Sequence, residues 1–289
     1  MTADKAALAA GISLACNAHG RDFIHVRHPA VEARIALEGA HLAACTPSGQ
    51  PPLLWMSPTE PALPGKPLRG GVPLCWPWFG GDRPGPAHGI ARTSRWQLDD
   101  VQTDPDQVRL RLSLPPAEIA RHLPEGNWQL GVEFVLGRHL SIALTTTNTG
   151  DQPQVLSQAL HAYLPVGDIE PARLQGLDGC MYIDKVIGSA DNVQVGSVAF
   201  GPEVDRIYHG HAGPVQLTDD TAAPIIVSRE GSRSLVVWNP GKAKSASLSH
   251  FPPDGYRTMV CIEAANAGPD ARLLAAGESH TLRTRIRRE

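Results

Sequence analysis

No basic excess marks this 289-residue chain: 26 Lys and Arg stand against 29 Asp and Glu, a formal charge of -3. A binder of long polyanions needs clustered positive charge to displace counterions from phosphates, so the composition argues against nucleic acid as a partner. Cysteine is sparse. Cys16, Cys45, Cys75, Cys180 and Cys261 are odd in number, scattered and nowhere spaced as CxxC. That pattern speaks against a disulfide framework or a zinc ribbon and predicts reduced thiols in a soluble, cytoplasmic protein. No stretch approaches the roughly 18 apolar residues that a bilayer-spanning helix requires, so no membrane partner is expected. The opening MTADKAALAAGISLAC has only a short apolar run, broken by Gly11 and Ser13, and does not read as a signal peptide. Nucleotide signatures of the GxxxxGKS/T and GxGxxG kinds are missing, as is HExxH. Among 12 histidines the only close pair is His209-Gly-His211, which reads as a surface turn, so no metal site is expected.

What the chain does have is apolar content and many turns. Hydrophobic residues make up 42% and charged residues 19%, enough for a sizeable core and too apolar for disorder. The 28 glycines and 26 prolines follow no repeat and suit the turns between short strands. Apolar and polar residues alternate over Val108–Leu114, Leu140–Thr145, Val31–Leu37 and Leu282–Arg287, the period of half-buried antiparallel strands. Continuous apolar runs at Leu235–Trp238 and Met259–Ile262 suit strands covered on both faces. Helical signals are few: PAEIARH, from Pro116 to His122, with proline at its start, and the opening residues. These features predict an all-β sandwich or barrel with on the order of ten or more strands. No linker divides the chain, which is expected to form one domain over residues 1–289 with about the first 20 peripheral.

Three segments look unlike ordinary strand or turn. RGGVPLCWPWFGG (69–81) followed by PAHGIAR (86–92) combines glycines, prolines and aromatics with Arg69, His88 and Arg92. Such a stiff loop can present a ligand surface, or its aromatics can simply plug one end of a sandwich. In QALHAYLPVGDI (158–169), a strand over Val155–Tyr163 would place His161 on a small, polar face with Ser157, Ala159 and Tyr163, opposite Leu156, Leu160 and Ala162. That face suits a sugar pocket, although a lone strand histidine is often only structural. In TMVCIEAAN (258–266), Glu263 ends an apolar run on the face of Met259 and Cys261, where a carboxylate is costly without a partner or a purpose. A salt-bridged strand end would also explain it. Arg69 and Arg92 could clamp one phosphoryl group through bidentate contacts without any global positive charge.

The ordered set RGGVPLCWPWFG (69–80), PAHGIAR (86–92), ALHAYLPVGDI (159–169), VDRIY (204–208), VVWNP (236–240) and DGYRTMVCIEAAN (254–266) closely resembles the hexose-6-phosphate mutarotases. These glucose-6-phosphate 1-epimerases belong to the aldose 1-epimerase, or galactose mutarotase-like, superfamily. The resemblance implies a β-supersandwich of antiparallel sheets with a concave sugar cleft, few short helices, no cofactor and a monomer acting on a small sugar phosphate. It also implies that His161 is the general acid and Glu263 the general base. On the same basis Arg69 and Arg92 would hold the substrate and its phosphate, Asp205 its hydroxyls, and His88 would help polarise the ring oxygen. Ala87, Ala162 and Leu164 depart from residues common in the family, which bears on fine specificity and not on the acid and base. Rival classes are a non-catalytic carbohydrate-binding module, which has no need of a facing His and Glu, a cupin-like metalloprotein, and a mutarotase for unphosphorylated aldoses.

Overall fold

The alternating segments pair with one another along the chain, and turns rich in Gly, Asn and Asp reverse its direction between them. The computed structural model describes residues 9–81 and 83–289. Among them are 23 strands, all the ladders being antiparallel, against two short α-helices and three short 3-10 turns. The fold is therefore the all-β sandwich expected.

Two large sheets face each other. One has nine strands in the order Val198–Ala199, Arg173–Gln175, Val215–Thr218, Ile225–Glu230, Ser279–Arg288, Leu140–Asn148, Trp128–Gly137, Gln107–Leu114 and Gln97–Asp104. The other runs Ser189–Val193, Met181–Asp184, Val204–His209, Ser234–Asn239, Met259–Asn266, Gln158–Leu160 and Leu74–Cys75, with Tyr163–Pro165 also paired to Met259–Asn266. Leu110, Phe134, Leu144 and Leu282 from the first sheet and Leu160, Leu235, Val260 and Ile262 from the second fill one continuous core between them. Because side chains alternate across a strand, Met259, Cys261, Glu263 and Ala265 must then point out of the second sheet, away from that core. The cleft lies on this outer face.

Several local expectations hold. The segment Pro116–His122 is an α-helix with proline in its first turn, and the strands over residues 31–36, 107–114, 140–148, 234–239 and 279–288 are present. One differs. The strand expected over Val155–Tyr163 is split into Gln154–Leu156, Gln158–Leu160 and Tyr163–Pro165, with His161 and Ala162 in the break between the last two. The Ala162 N–H donates to the Leu160 carbonyl at 2.9 Å there, a tight local turn in place of a ladder bond. In the N-terminal region Ile12–Cys16 pairs with Asp22–His28 at the edge of a four-stranded sheet and buries Ile12, the rest of the strand being exposed. The helix expected at the opening residues falls in 1–8, outside the described residues. No helix among the described residues is long and apolar enough to cross a membrane.

Candidate active site

The floor of the cleft is the strand Met259–Asn266, all eight of whose residues are buried. Glu263 stands opposite Val236 of Ser234–Asn239, in the interior of the strand and not at its end as the sequence suggested. Among the described residues no Lys or Arg pairs with it. Its neighbour is His161, whose Nε2 lies 3.4 Å from Oε1, while Glu263 Oε2 and His161 Nδ1 have no hydrogen-bond partner among the described residues. The register with the neighbouring segments sets this meeting: Leu160 pairs with Ala264 and Tyr163 with Cys261, so the register runs on unchanged across the break and carries His161 alongside Glu263. Its ring is stacked on Tyr163, with centroids 5.0 Å apart. Ala159 and Tyr163 lie toward the cleft side and Leu156, Leu160 and Ala162 toward the core, as the alternation required.

The wall is the loop from Arg69 to Arg92. Gly71 has a φ of +60°, and a Cβ there would lie 2.3 Å from the Leu42 carbonyl oxygen, so no other residue fits this turn. The Arg69 N–H donates to Glu60 Oε2 at 2.9 Å, which fixes the turn from the other side. The aromatics divide. Trp76 is fully buried in the core and donates Nε1–H to Thr146 Oγ1 at 3.0 Å, Trp78 donates to the Pro86 carbonyl, and only Phe79 borders the cleft. Two of the three therefore belong to the packing reading and not to the ligand surface. His88 adopts a φ of +64°, unusual for a residue with a Cβ, and its ring meets Phe79 edge-on at 5.0 Å and His161 at 5.6 Å. Arg92, on the 3-10 turn Ala91–Thr93, donates Nη2–H to the Ala87 carbonyl at 2.6 Å.

All six residues singled out in the sequence (Arg69, His88, Arg92, His161, Asp205 and Glu263) line this one cleft of about 410 Å³. Lys185 and Lys244 line it too and were not anticipated. Lys185 follows the strand Met181–Asp184, its N–H donates to the Asp205 carbonyl at 2.8 Å, and its ammonium sits 5.8 Å from the Phe79 ring centre. Lys244 comes from the short helix Gly241–Ser245 and pairs with Glu203. A lysine just past a strand end carries no sequence signature. Only the folded register shows that it faces the cleft.

The electrostatics follow from burial in a cationic surround. Burial pushes the Glu263 carboxyl well up, reinforced by Asp205 and opposed by Lys185. Burial pulls His161 well down, helped by His88, Arg92 and Arg69. Both members of the facing pair are thus driven toward their uncharged forms. His88 is pulled down to about 3 by burial and then by Arg92, Lys185 and Arg69, so its ring is neutral. The Gly80 N–H approaches its Nδ1 at 3.4 Å, which leaves the ring proton on Nε2. Burial raises Asp205 as well, against the pull of Lys185 and Lys244. A neutral acid beside a neutral imidazole, ringed by Arg and Lys, can exchange protons with a bound hydroxylic ligand and can hold an anionic substituent. Among the described residues one trio could hold a metal ion: His161, Cys261 and Glu263 offer ligand atoms that all lie within 4.8 Å of one another.

The sequence profile of the family described as aldose 1-epimerase matches residues 22–287. A provisionally named glucose-6-phosphate 1-epimerase of Escherichia coli K12 is 36% identical over 263 residues, 90% of this chain and 88% of that protein. Its provisionally named counterpart in Salmonella typhimurium is 36% identical over 250 residues, 85% and 83% of the two chains. The crystal structure of a provisionally named mutarotase of Salmonella typhimurium superposes with a TM-score of 0.87 at 33% identity, covering 96% of this chain and 92% of that one. The fold, the profile match along almost the whole chain and these relatives together place this protein in the aldose 1-epimerase family.

Proposed function

We propose that this protein interconverts the α and β anomers of a hexose 6-phosphate, glucose 6-phosphate first among them, as a single-domain, cytoplasmic monomer. The observation that carries the reading is the 3.4 Å approach of His161 Nε2 to Glu263 Oε1 on the floor of a cleft lined by Arg69 and Arg92. Opening a hemiacetal needs a proton taken from the O1 hydroxyl and a proton given to the ring oxygen O5. Rotation about C1–C2 and closure on the other face reverse both transfers. The reaction is redox-neutral and transfers no group, so proton movement is all the site has to supply.

Glu263 is the base toward O1 and His161 the acid toward O5. The buried pair holds one mobile proton, and the carboxylic acid with neutral imidazole has the same proton count as the carboxylate with imidazolium. The second form is the reactive one, and a polar sugar filling the cleft supplies the hydrogen bonds that stabilise it. His88 directs Nε2–H toward the ring oxygen, and Asp205 accepts hydrogen bonds from the sugar hydroxyls. Arg69 and Arg92 hold the dianionic phosphate through their forked donors, with Lys185 and Lys244 adding charge around the same cleft.

The test is the equilibration of freshly dissolved α-glucose 6-phosphate, run beside α-glucose, for the wild type and for Arg69→Ala. Acceleration of the phosphate ester, with a KM raised by Arg69→Ala more than its kcat is lowered, supports the reading. Equal acceleration of both sugars removes the phosphate clamp, and acceleration of neither leaves a sugar-binding module.

A further inference from the structure

Acid–base chemistry uses His161 and Glu263, which line the cleft, and leaves Cys261, fully buried beside them, without a part. Cys261 and Glu263 are two residues apart on one strand and point to the same face, and His161 reaches them from the adjoining strand break. Alternate positions of a strand share a face, so two ligands from this strand and a third from its neighbour stand on one side of the sheet. Around a tetrahedral zinc ion, bond lengths of roughly 2.0–2.3 Å separate adjacent ligand atoms by about 3.3–3.6 Å. His161 Nε2 and Glu263 Oε1 already stand 3.4 Å apart, and one ligand atom from each of the three residues lies within 4.8 Å of the others. Glu263 Oε2 and His161 Nδ1 are buried and have no hydrogen-bond partner among the described residues.

We propose that His161, Cys261 and Glu263 form a binding site for a thiophilic divalent cation, Zn2+ fitting best, whose occupancy shuts off the acid–base pair. The fourth coordination position faces the cleft and takes water. On binding, the Cys261 thiol and the Glu263 carboxyl each release a proton to solvent, and the resulting thiolate and carboxylate balance the charge of the ion. The soft sulfur sets the selectivity: Mg2+ prefers an octahedron of oxygen ligands and does not compete. Inhibition rests on the mutarotase reading, because ion and sugar then need the same His161 and Glu263. Binding does not.

The experiment titrates Cd2+ into the reduced, metal-free protein, follows the ultraviolet thiolate charge-transfer band, and measures Zn2+ affinity by calorimetry. The expected result is a single equivalent whose band disappears in Cys261→Ala and survives in Cys16→Ala. Cys16 is the necessary control, because its exposed thiol lies beside Asp22 and could bind the ion on the surface. Zn2+ affinity should drop at least about tenfold in Cys261→Ala, and glucose 6-phosphate should compete with the ion while Mg2+ should not. Glu263→Gln, close in shape to the native residue, should weaken Zn2+ to a similar extent and keeps the test alive if Cys261→Ala fails to fold. A band lost only in Cys16→Ala, or Zn2+ affinity unchanged in Glu263→Gln, overturns the site. A protein that binds Cd2+ through Cys261 yet mutarotates no sugar leaves the metal site standing and sinks the proposed reaction instead.

Discussion

His41 Nε2 lies 2.8 Å from the carbonyl oxygen of Gly70, beneath the turn that carries Arg69. A carbonyl only accepts, so Nε2 bears the proton, and Nδ1 is left buried with no partner. This bond and the Glu60 contact to the Arg69 N–H hold the turn from two sides. In the proposed reaction Arg69 holds the phosphate, which makes His41 a positioning residue. His41→Ala should raise KM for glucose 6-phosphate about tenfold, as expected for loss of a bond worth roughly 1–1.5 kcal/mol, with little change in kcat or in KM for glucose. His41→Gln, which restores an N–H donor, should recover much of the loss. Equal effects on both sugars would mean the bond serves the fold alone.

The same histidine makes stability depend on pH. Burial pulls its pKa down to about 3 from 6.5, with Arg21 and Arg92 adding to the effect and the Gly70 bond opposing it. Between these values the unfolded chain takes up a proton that the folded chain refuses. The stability present above pH 6.5 is therefore lost as the pH falls toward 3, by at most about 1.4 kcal/mol per pH unit for this group. Urea midpoints measured at about pH 7 and pH 5 should drop further for the wild type than for His41→Gln. Identical drops would assign the acid sensitivity to other groups.

Glu263→Gln should lower the rate of mutarotation by about 10²–10⁴-fold. Burial favours the protonated carboxyl in the free protein, and glutamine is nearly its isostere, so the melting temperature should change little. His161→Asn should show the same loss of rate. A large fall in melting temperature accompanying the lost activity would show that the pair is held as a structural ion pair.

Away from the cleft, Arg21 is buried to 1% side-chain exposure against Glu38 and donates to the carbonyls of Leu63 and Lys66. It ties down the loop that leads into Arg69. Arg21→Ala leaves Glu38 and two carbonyls without this partner and should cost about 3–5 kcal/mol, the usual consequence of breaking a buried charge pair. Denaturant unfolding measures this, and a cost below about 1 kcal/mol would show that water replaces the guanidinium.

Much of the sheet structure was readable in the sequence because period-two alternation over residues such as Val108–Leu114 has only one good burial solution. The six cleft residues were readable from their motifs. What was not readable depends on how distant segments come into register. Nothing in the sequence separates Trp76, which packs into the core, from Phe79, which borders the cleft three residues later. The break at His161 diverts one backbone N–H, that of Ala162, into a local turn inside an apolar run and leaves no turn residue to mark it. Lys185 and Lys244 became visible only once their strand and helix were placed. The approach of Cys261 to His161 likewise depends on two segments far apart in the chain, so no short ligand spacing in the sequence marks it. Ser189–Val193 is a strand of mostly exposed, polar residues, paired on one edge only, and carries no hydrophobic pattern at all.

The strand Ser279–Arg288 occupies the fifth of nine places in the larger sheet, between Ile225–Glu230 and Leu140–Asn148. A ribosome makes the four strands on either side of it before it makes this one. Until it emerges, the two halves of the sheet share no ladder and the core side of each lacks Leu282 and Ile286. Synthesis from the N-terminus therefore cannot complete this sheet in stages, and the sheet that backs the cleft closes only once Ser279–Arg288 is free.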